Sequence, residues 1–179
     1  MAQNPAIDLW FEDECHFQQH GSRCRMWIPP EERDPTILHA PTRKSIGVFG
    51  AVSSHDGRLV TSLEKNSFDA STFHCFLKQL IRHRRQDRRM ILVVDNARWH
   101  HAKILQPWLK YHQDYFRLDF LPPYSPELNP IERVWKLTRT LCTHNRYFPN
   151  LDGIIDTIKE QFEHWKKPNL TLRRLCAVN

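Results

Sequence analysis

The chain has no run of about 18 or more apolar residues, so no segment reads as a membrane-spanning helix. Met1 to Pro5 hold no basic stretch followed by an apolar one, so no secretory leader is expected. Cysteine is sparse and scattered: Cys15, Cys24, Cys75, Cys142 and Cys176 form no CxxC pair. An odd, dispersed set argues against a disulfide framework and a structural zinc site, and points to a reducing compartment. Repeats, low-complexity tracts and linkers are also missing. The 179 residues, 40% of them hydrophobic, therefore read as one domain with one sizeable core.

Positive charge is in excess. The net charge is +6 and the pI about 9.2. A basic surface suits a polyanionic partner, and a basic soluble protein without one is the plainer alternative.

Hydrophobic periodicity gives the order of elements. Residues 7–12, "IDLWFE", alternate: Ile7, Leu9 and Phe11 face one way, Asp8, Trp10 and Glu12 the other, as in a strand. Asp13 falls on the apolar side, where a carboxylate needs a partner or a metal. Residues 23–28, "RCRMWI", read as a second strand stopped by Pro29 and Pro30. A hairpin follows, with strands at 45–52 and 58–63 around His55-Asp56-Gly57. Phe73, Phe76, Leu77, Leu80 and Ile81 mark an amphipathic helix over 70–86, capped by Asp69 or Ser71. The unbroken apolar run "MILVV" (90–94) suits a strand buried on both faces. A helix over 101–112, an edge-like strand over 116–120, and helices over about 130–144 and 151–165 complete the order. The tail from Asn169 shows no clear pattern. A three-strand antiparallel meander followed by strands alternating with helices implies an α/β fold: a mixed sheet with helices on both faces.

In such sheets ligands bind at strand ends. Asp13 closes the first strand and Asp95 the 90–94 strand, so the two meet if these strands are neighbours. A third carboxylate is available at Glu132, on the helix after the prolyl segment. Converging acids repel unless a cation holds them, and an all-carboxylate set favours Mg²⁺ or Mn²⁺ over zinc. That chemistry is two-metal phosphoryl transfer, with no side-chain nucleophile. Each acid also has a plainer reading. Asp95-Asn96 is common turn chemistry, and Asp13 lies in an acidic trio. Asn129, Pro130 and Glu132 form the pattern of a capping box, and by spacing alone that reading of Glu132 is favoured.

Three stretches resemble one family. "WFEDECHF" (10–17), "LVVDNARWHH" (92–101) and "LPPYSPELNPIERVW" (121–135) look like the signature blocks of mariner-superfamily transposases, in the bacterial insertion-sequence branch. The resemblance covers about residues 7 to 150. It implies an RNase H-like fold and a DDE triad at Asp13, Asp95 and Glu132 that binds two Mg²⁺ (or Mn²⁺) ions. Asp95 and Glu132, with 36 residues between them, suit the family's spacing. Glu12 and Glu14 are then neighbours of the first acid, and Glu127 is a rival for the third. His100 matches a histidine of the second block, placed either to contact the scissile phosphate or to arrange the site; the plainer reading is that it only starts a helix.

The family's activity implies DNA strand cleavage at terminal inverted repeats and strand transfer into TA targets, by a homo-oligomer on DNA in the bacterial cytoplasm, at the nucleoid. Full-length relatives carry an N-terminal helix-turn-helix region, and none is expected ahead of a first strand beginning at residue 7. The whole chain, 1–179, is then a catalytic domain. Arg133, Lys136 and Arg139, spaced along one helix face, are DNA-contact candidates with His100. The five arginines of "IRHRRQDRR" (81–89) read either as a solvated helix end or as a phosphate-contacting patch. Most of the six tryptophans fall on apolar faces and read as core rather than base-stacking platforms. Two other functions stay open at this point: a non-catalytic DNA-binding or regulatory transposase fragment, and an RNase H-like nuclease of another family.

Overall fold

One long strand, β1 (Ile7–Gln18), is the axis of a five-stranded sheet. The computed structural model describes residues 6–25, 27–31, 36, 38 and 40–177. The other strands are β2 (Ser45–Ser53), β3 (Leu59–Glu64), β4 (Arg89–Val94) and β5 (Phe116–Phe120), in the order β3-β2-β1-β4-β5. The β1–β2 and β2–β3 pairs are antiparallel, while β4 runs parallel to both β1 and β5. The expected mixed sheet is therefore present, with β5 at its edge.

Helices cover both faces. Alternate residues of β1 enter two separate cores. Leu9, Phe11, Cys15 and Phe17 pack with α3 (Ile131–Cys142), α4 (Leu151–Trp165) and α5 (Leu170–Leu175). Trp10 points the other way, into a core with α1 (Ala70–Leu80) and residues flanking α2 (Gln106–His112). Because β1 is central, its polar face is covered too. Asp8, Trp10 and Glu12, on the other side of the alternation, are all buried as well.

Local chemistry explains the helix starts. Asp69 caps α1 by accepting from the Ser71 and Thr72 amides, each at 2.8 Å. Asn150 and Asn169 do the same for α4 and α5. In the β2–β3 hairpin Gly57 takes φ +72°, and a Cβ there would lie 2.1 Å from the Asn169 carbonyl. The hairpin turn is thus pressed against the start of α5, a helix in the tail where no pattern was legible.

Several expectations are corrected. The first strand does not stop at residue 12 but runs to Gln18, because β2 pairs with it over that whole length. Residues 23–25, 27 and 28 form no strand, and Met26 lies outside the described residues. Cys24 exchanges its backbone hydrogen bonds with the Asn145 side chain, both at 3.0 Å, and Trp27 is fully exposed. The segment therefore pairs with the loop after α3 instead of the sheet. The helix over 70–86 stops at Leu80 and continues only as a 3₁₀ turn over Ile81–His83. The helix over 101–112 begins at Gln106, with Pro107 in its first turn, after two short 3₁₀ turns separated by an extended Ala102. On α3 the spacing of Ile131, Val134, Trp135, Thr138 and Leu141 predicts the core stripe, and the structure ends it in Cys142 instead, with Leu141 exposed. Among the described residues no helix is long and apolar enough to cross a membrane.

One glycine decides how closely α3 approaches the sheet. Gly50 pairs with Asp13 across the β1–β2 ladder, and a Cβ built there would sit 2.3 Å from a ring carbon of Trp135. We expect Gly50→Ala to cost about 1–3 kcal/mol through overpacking. Urea denaturation of the two proteins measures the loss.

Candidate active site

The parallel ladder between β1 and β4 ends at the pair Phe11 and Val93. Two residues further along each chain come Asp13 and Asp95. Side chains alternate along a strand, so both carboxylates emerge on the face that carries Phe11 and Val93. Asp13 does not close its strand, as the sequence suggested. It stands where β1 parts from β4, which opens a crevice between them. Asp95 follows β4 directly and is half exposed.

The prolyl segment carries the third carboxylate to this crevice. Its first residue is held against the end of β4. The Leu121 amide donates to the Val94 carbonyl at 2.9 Å, and Asn96 Nδ2 donates to the Leu121 carbonyl at 2.5 Å. Pro122, Pro123 and Pro126 restrict the turn that follows, and a 3₁₀ turn spans Pro126–Leu128. Asn129 then donates from Nδ2 to the Glu12 carbonyl at 2.8 Å, in a buried position. This bond fastens the start of α3 to β1 beside Asp13. It also overturns the capping-box reading. The Asn129 side chain is engaged with β1, and no side chain caps α3. Asn129 contributes only its carbonyl, which accepts from the Glu132 amide at 3.2 Å.

Glu132 is therefore exposed on the first turn of α3, while Trp135, three residues on, is fully buried. Trp135 Nε1 donates to Asp13 Oδ2 at 3.1 Å, the partner that a carboxylate on the apolar side requires. Asp13, Asp95 and Glu132 line one cavity of about 440 Å³, walled by residues 121–126 of the prolyl segment. Glu127, the rival third acid, is not among its lining residues.

The electrostatics follow from this crowding. Burial first, then the charges of Glu132 and Glu14, push the Asp13 carboxyl up to about 7. Asp95 is held below the usual range, chiefly by the His100 hydrogen bond and also by the Ala97 amide, which donates to Oδ1 at 2.8 Å. A surplus of carboxylate oxygen with no nitrogen or sulfur donor fits a hard divalent cation such as Mg²⁺ or Mn²⁺. Asp13, Asp95 and Glu132 are the residues that would hold it.

His100 is only 1% exposed, so the reading of it as a DNA contact is not met. Its Nδ1 lies 3.0 Å from Asp95 Oδ1, and its Nε2 faces Glu14 at 3.3 Å and Glu12 at 3.6 Å. Burial pulls the imidazole down, but the Asp95 and Glu14 bonds and the nearby carboxylate charges outweigh it and push it up to about 10. Burial first, and then the Glu14 charge, push Glu12 well above the usual range. Sequence reasoning set Glu12 and Glu14 aside as mere neighbours of Asp13. Strand alternation was the available signal: it puts both on the opposite face of β1 from Asp13, together.

The basic candidates differ among themselves. Lys136 is exposed. Arg133 is tied to the Leu175 carbonyl at 2.7 Å, and Arg139 donates to Cys15 Sγ at 2.8 Å while lying over the Phe17 ring. With Glu132 and His144 these three line a shallow surface pocket beside the cavity. Much of the arginine-rich 81–89 stretch is used internally. Arg84 lies over the Tyr115 ring, Arg85 is 3.9 Å from Asp56, and Arg89 donates to the Gln113 carbonyl. The tryptophans divide likewise: Trp10, Trp135 and Trp165 are core, whereas Trp27 is exposed.

Comparison with known proteins places this geometry. The family model described as "DDE superfamily endonuclease" matches residues 8–155. The chain is 35% identical over 108 residues to the uncharacterized protein y4pE/y4sA of Sinorhizobium fredii (strain NBRC 101917 / NGR234), covering 60% of this chain and 76% of that protein. It is 30% identical over 155 residues to the insertion element IS630 uncharacterized 39 kDa protein of Shigella sonnei, covering 87% of this chain and 44% of that one. The fold is similar to that of the Mos1 mariner paired end complex with Mn (TM-score 0.69, 18% identity, 94% of this chain and 51% of that chain). It is also similar to the HTLV-2 integrase catalytic core domain in complex with magnesium (TM-score 0.56, 13% identity, 90% and 86%). The sheet is thus RNase H-like, and the chain spans about half the length of the Mos1 protein and less than half of the IS630 protein. By the match over 8–155, the chain belongs to the DDE superfamily of endonucleases.

Proposed function

We propose that this chain is the catalytic domain of an insertion-sequence transposase, cutting DNA at the element's terminal inverted repeats and joining the ends to TA target sites. The observation that carries this reading is the convergence of Asp13, Asp95 and Glu132, from three separate elements, on one cavity. The Mos1 complexes of similar fold include a paired-end complex with a transposon end and a strand transfer complex, which favours the same chemistry here. Bound at the three carboxylates, two Mg²⁺ or Mn²⁺ ions would activate a water or 3′-hydroxyl and stabilise the leaving oxygen.

The chain's own groups do the positioning. Trp135 holds one oxygen of Asp13 in place, and His100 and the Ala97 amide together hold Asp95. Asn129 fixes the distance of α3 from β1, and so the reach of Glu132. The cavity opens beside the pocket lined by Arg133, Lys136 and Arg139, where a phosphate backbone finds positive charge without base readout. Lys136, exposed there, is the contact we assign to DNA. Assembly as a homo-oligomer on paired element ends, at the nucleoid, completes the proposal.

The direct test supplies the chain, joined to a domain that reads the terminal repeats, with Mg²⁺ or Mn²⁺ and an end-labelled repeat duplex. We expect metal-dependent nicking, reduced to the uncatalysed background in Asp95→Ala and Glu132→Gln. Unchanged nicking in either variant overturns the assignment, and metal-independent binding without any nicking identifies a regulatory fragment instead.

A second expectation concerns pH. In the folded chain Asp13 ionises only near 7, against an ordinary value of 3.8. An acid raised on folding contributes stability that is complete below its unfolded pKa and is lost as pH rises through the folded one. Glu12 has the same sign. Ion-free protein should therefore lose stability from about pH 4 to pH 7. In urea titrations with chelator, Asp13→Asn should flatten that fall, and Mg²⁺ should restore wild-type stability at pH 7.

A further inference from the structure

The face of β1 opposite Asp13 holds a second group of metal-ligating side chains. Glu12 and Glu14 point there side by side, and His100 reaches them from the 3₁₀ turn over Arg98–His101. One oxygen from each carboxylate and one ring nitrogen all lie within 4.8 Å of one another.

Proximity of acids is not by itself a site, but here the buried atoms lack partners. Glu12 is 0% exposed, and neither of its carboxylate oxygens has a hydrogen-bond partner. His100 Nε2, also buried, faces Glu14 and Glu12 at 3.3 and 3.6 Å but makes no well-aligned hydrogen bond to either. A buried carboxyl group without a hydrogen-bond partner pays its full desolvation cost, and a cation facing it would offset that cost. A single proton on His100 offsets one negative charge, yet the imidazole faces Glu12, Glu14 and Asp95.

His100 and Glu14 are held in the way metal ligands are held. His100 Nδ1 is directed at the Asp95 carboxylate and backbone carbonyl, at 3.0 and 3.1 Å, which turns Nε2 towards the two glutamates. A histidine ligand almost always donates its other ring nitrogen to a carboxylate or carbonyl in this way. Glu14 Oε1 accepts from Trp99 Nε1 at 2.7 Å, the kind of outer hydrogen bond that orients a carboxylate ligand. Nitrogen and oxygen donors about 2.1 Å from a tetrahedral ion lie roughly 3.4 Å apart. His100 Nε2 is 3.3 Å from Glu14 Oε1 and 3.6 Å from Glu12 Oε2.

We propose that Glu12, Glu14 and His100 form a buried divalent-cation site, separate from the Asp13–Asp95–Glu132 cavity and structural in role. An imidazole among two carboxylates selects a borderline ion, Zn²⁺ or Mn²⁺, over Mg²⁺. Binding requires an ionised Glu12 and a bare His100 Nε2, so the protons on both leave to solvent, while Nδ1–H stays directed at Asp95. The ion therefore locks the residue that aims Asp95, from the far side of the strand that carries Asp13.

The test uses the full chain with the other site neutralised, as Asp13→Asn/Glu132→Gln, so that it does not depend on the catalytic reading. After equilibration with Zn²⁺ and gel filtration, elemental analysis should find one retained ion per chain, with a Zn²⁺-dependent rise in Tm. Adding Glu12→Gln should remove both. Because Glu12→Gln changes a fully buried group, Glu14→Gln, at a partly exposed carboxylate, is the second variant. In it the visible absorption of Co²⁺ at this site should be lost while circular dichroism is kept. No retained ion in the neutralised chain, or an ion kept in both glutamine variants, overturns the proposal and leaves a proton as the occupant.

Discussion

Asp13 is a carboxylate on the apolar side of the central strand, and burying it without a partner is not tolerable. Trp135 answers that constraint with an indole N–H. The rest of the site follows from the contact. For the indole to reach Asp13, α3 must lie almost on the sheet, and the space comes from Gly50, the residue paired with Asp13 on β2. With the helix so close, Glu132, three residues before Trp135, comes to the mouth of the crevice. The same side-chain pair thus answers a structural difficulty and brings a third acid to the cavity.

The prolyl segment works with this contact. Four prolines are poor in hydrogen-bond donors, so the segment is fastened at its ends rather than along its length. Asn96 and the Leu121 amide hold one end to β4, and Asn129 holds the other to β1. The segment therefore spans the gap where the two parallel strands diverge, and it forms one wall of the cavity. Its far end delivers α3 with Glu132 free of any capping duty. A capping interaction would turn the Glu132 carboxylate back onto the backbone, whereas here it lines the cavity and Asn129 is spent on β1 instead.

β1 carries chemistry on both faces. Asp13 belongs to the open cavity, while Glu12 and Glu14 belong to the buried polar group around His100. The two sides communicate through Asp95, which touches the cavity with its carboxylate and His100 with the same group. A strand that would ordinarily separate two apolar cores thus has carboxylates in three consecutive positions, all at the point where its parallel partner ends.

Much of this was legible in the chain itself. Periodicity located all five strands of the sheet and most helices, since apolar spacing reports which residues must leave water whatever they pack against. The three motif blocks pointed to Asp13, Asp95 and Glu132, because residue types and their order are properties of the sequence. What the sequence could not carry was any pairing between distant segments. Residues 23–28 have the composition of a strand, yet the backbone hydrogen bonds of Cys24 go to Asn145, which only the folded chain brings near. "NPIE" has the spacing of a capping box, yet the Glu12 carbonyl, more than a hundred residues away, competes successfully for Asn129. His100 could be read as a phosphate contact or as a residue that arranges the site, and only its burial against Glu12, Glu14 and Asp95 favours the second. Local pattern thus determined where most elements form, and residue types in their order marked Asp13, Asp95 and Glu132 as candidates; only tertiary structure decided what each polar side chain faces, because a hydrogen bond or an ion pair depends on distance in space and not on distance along the chain.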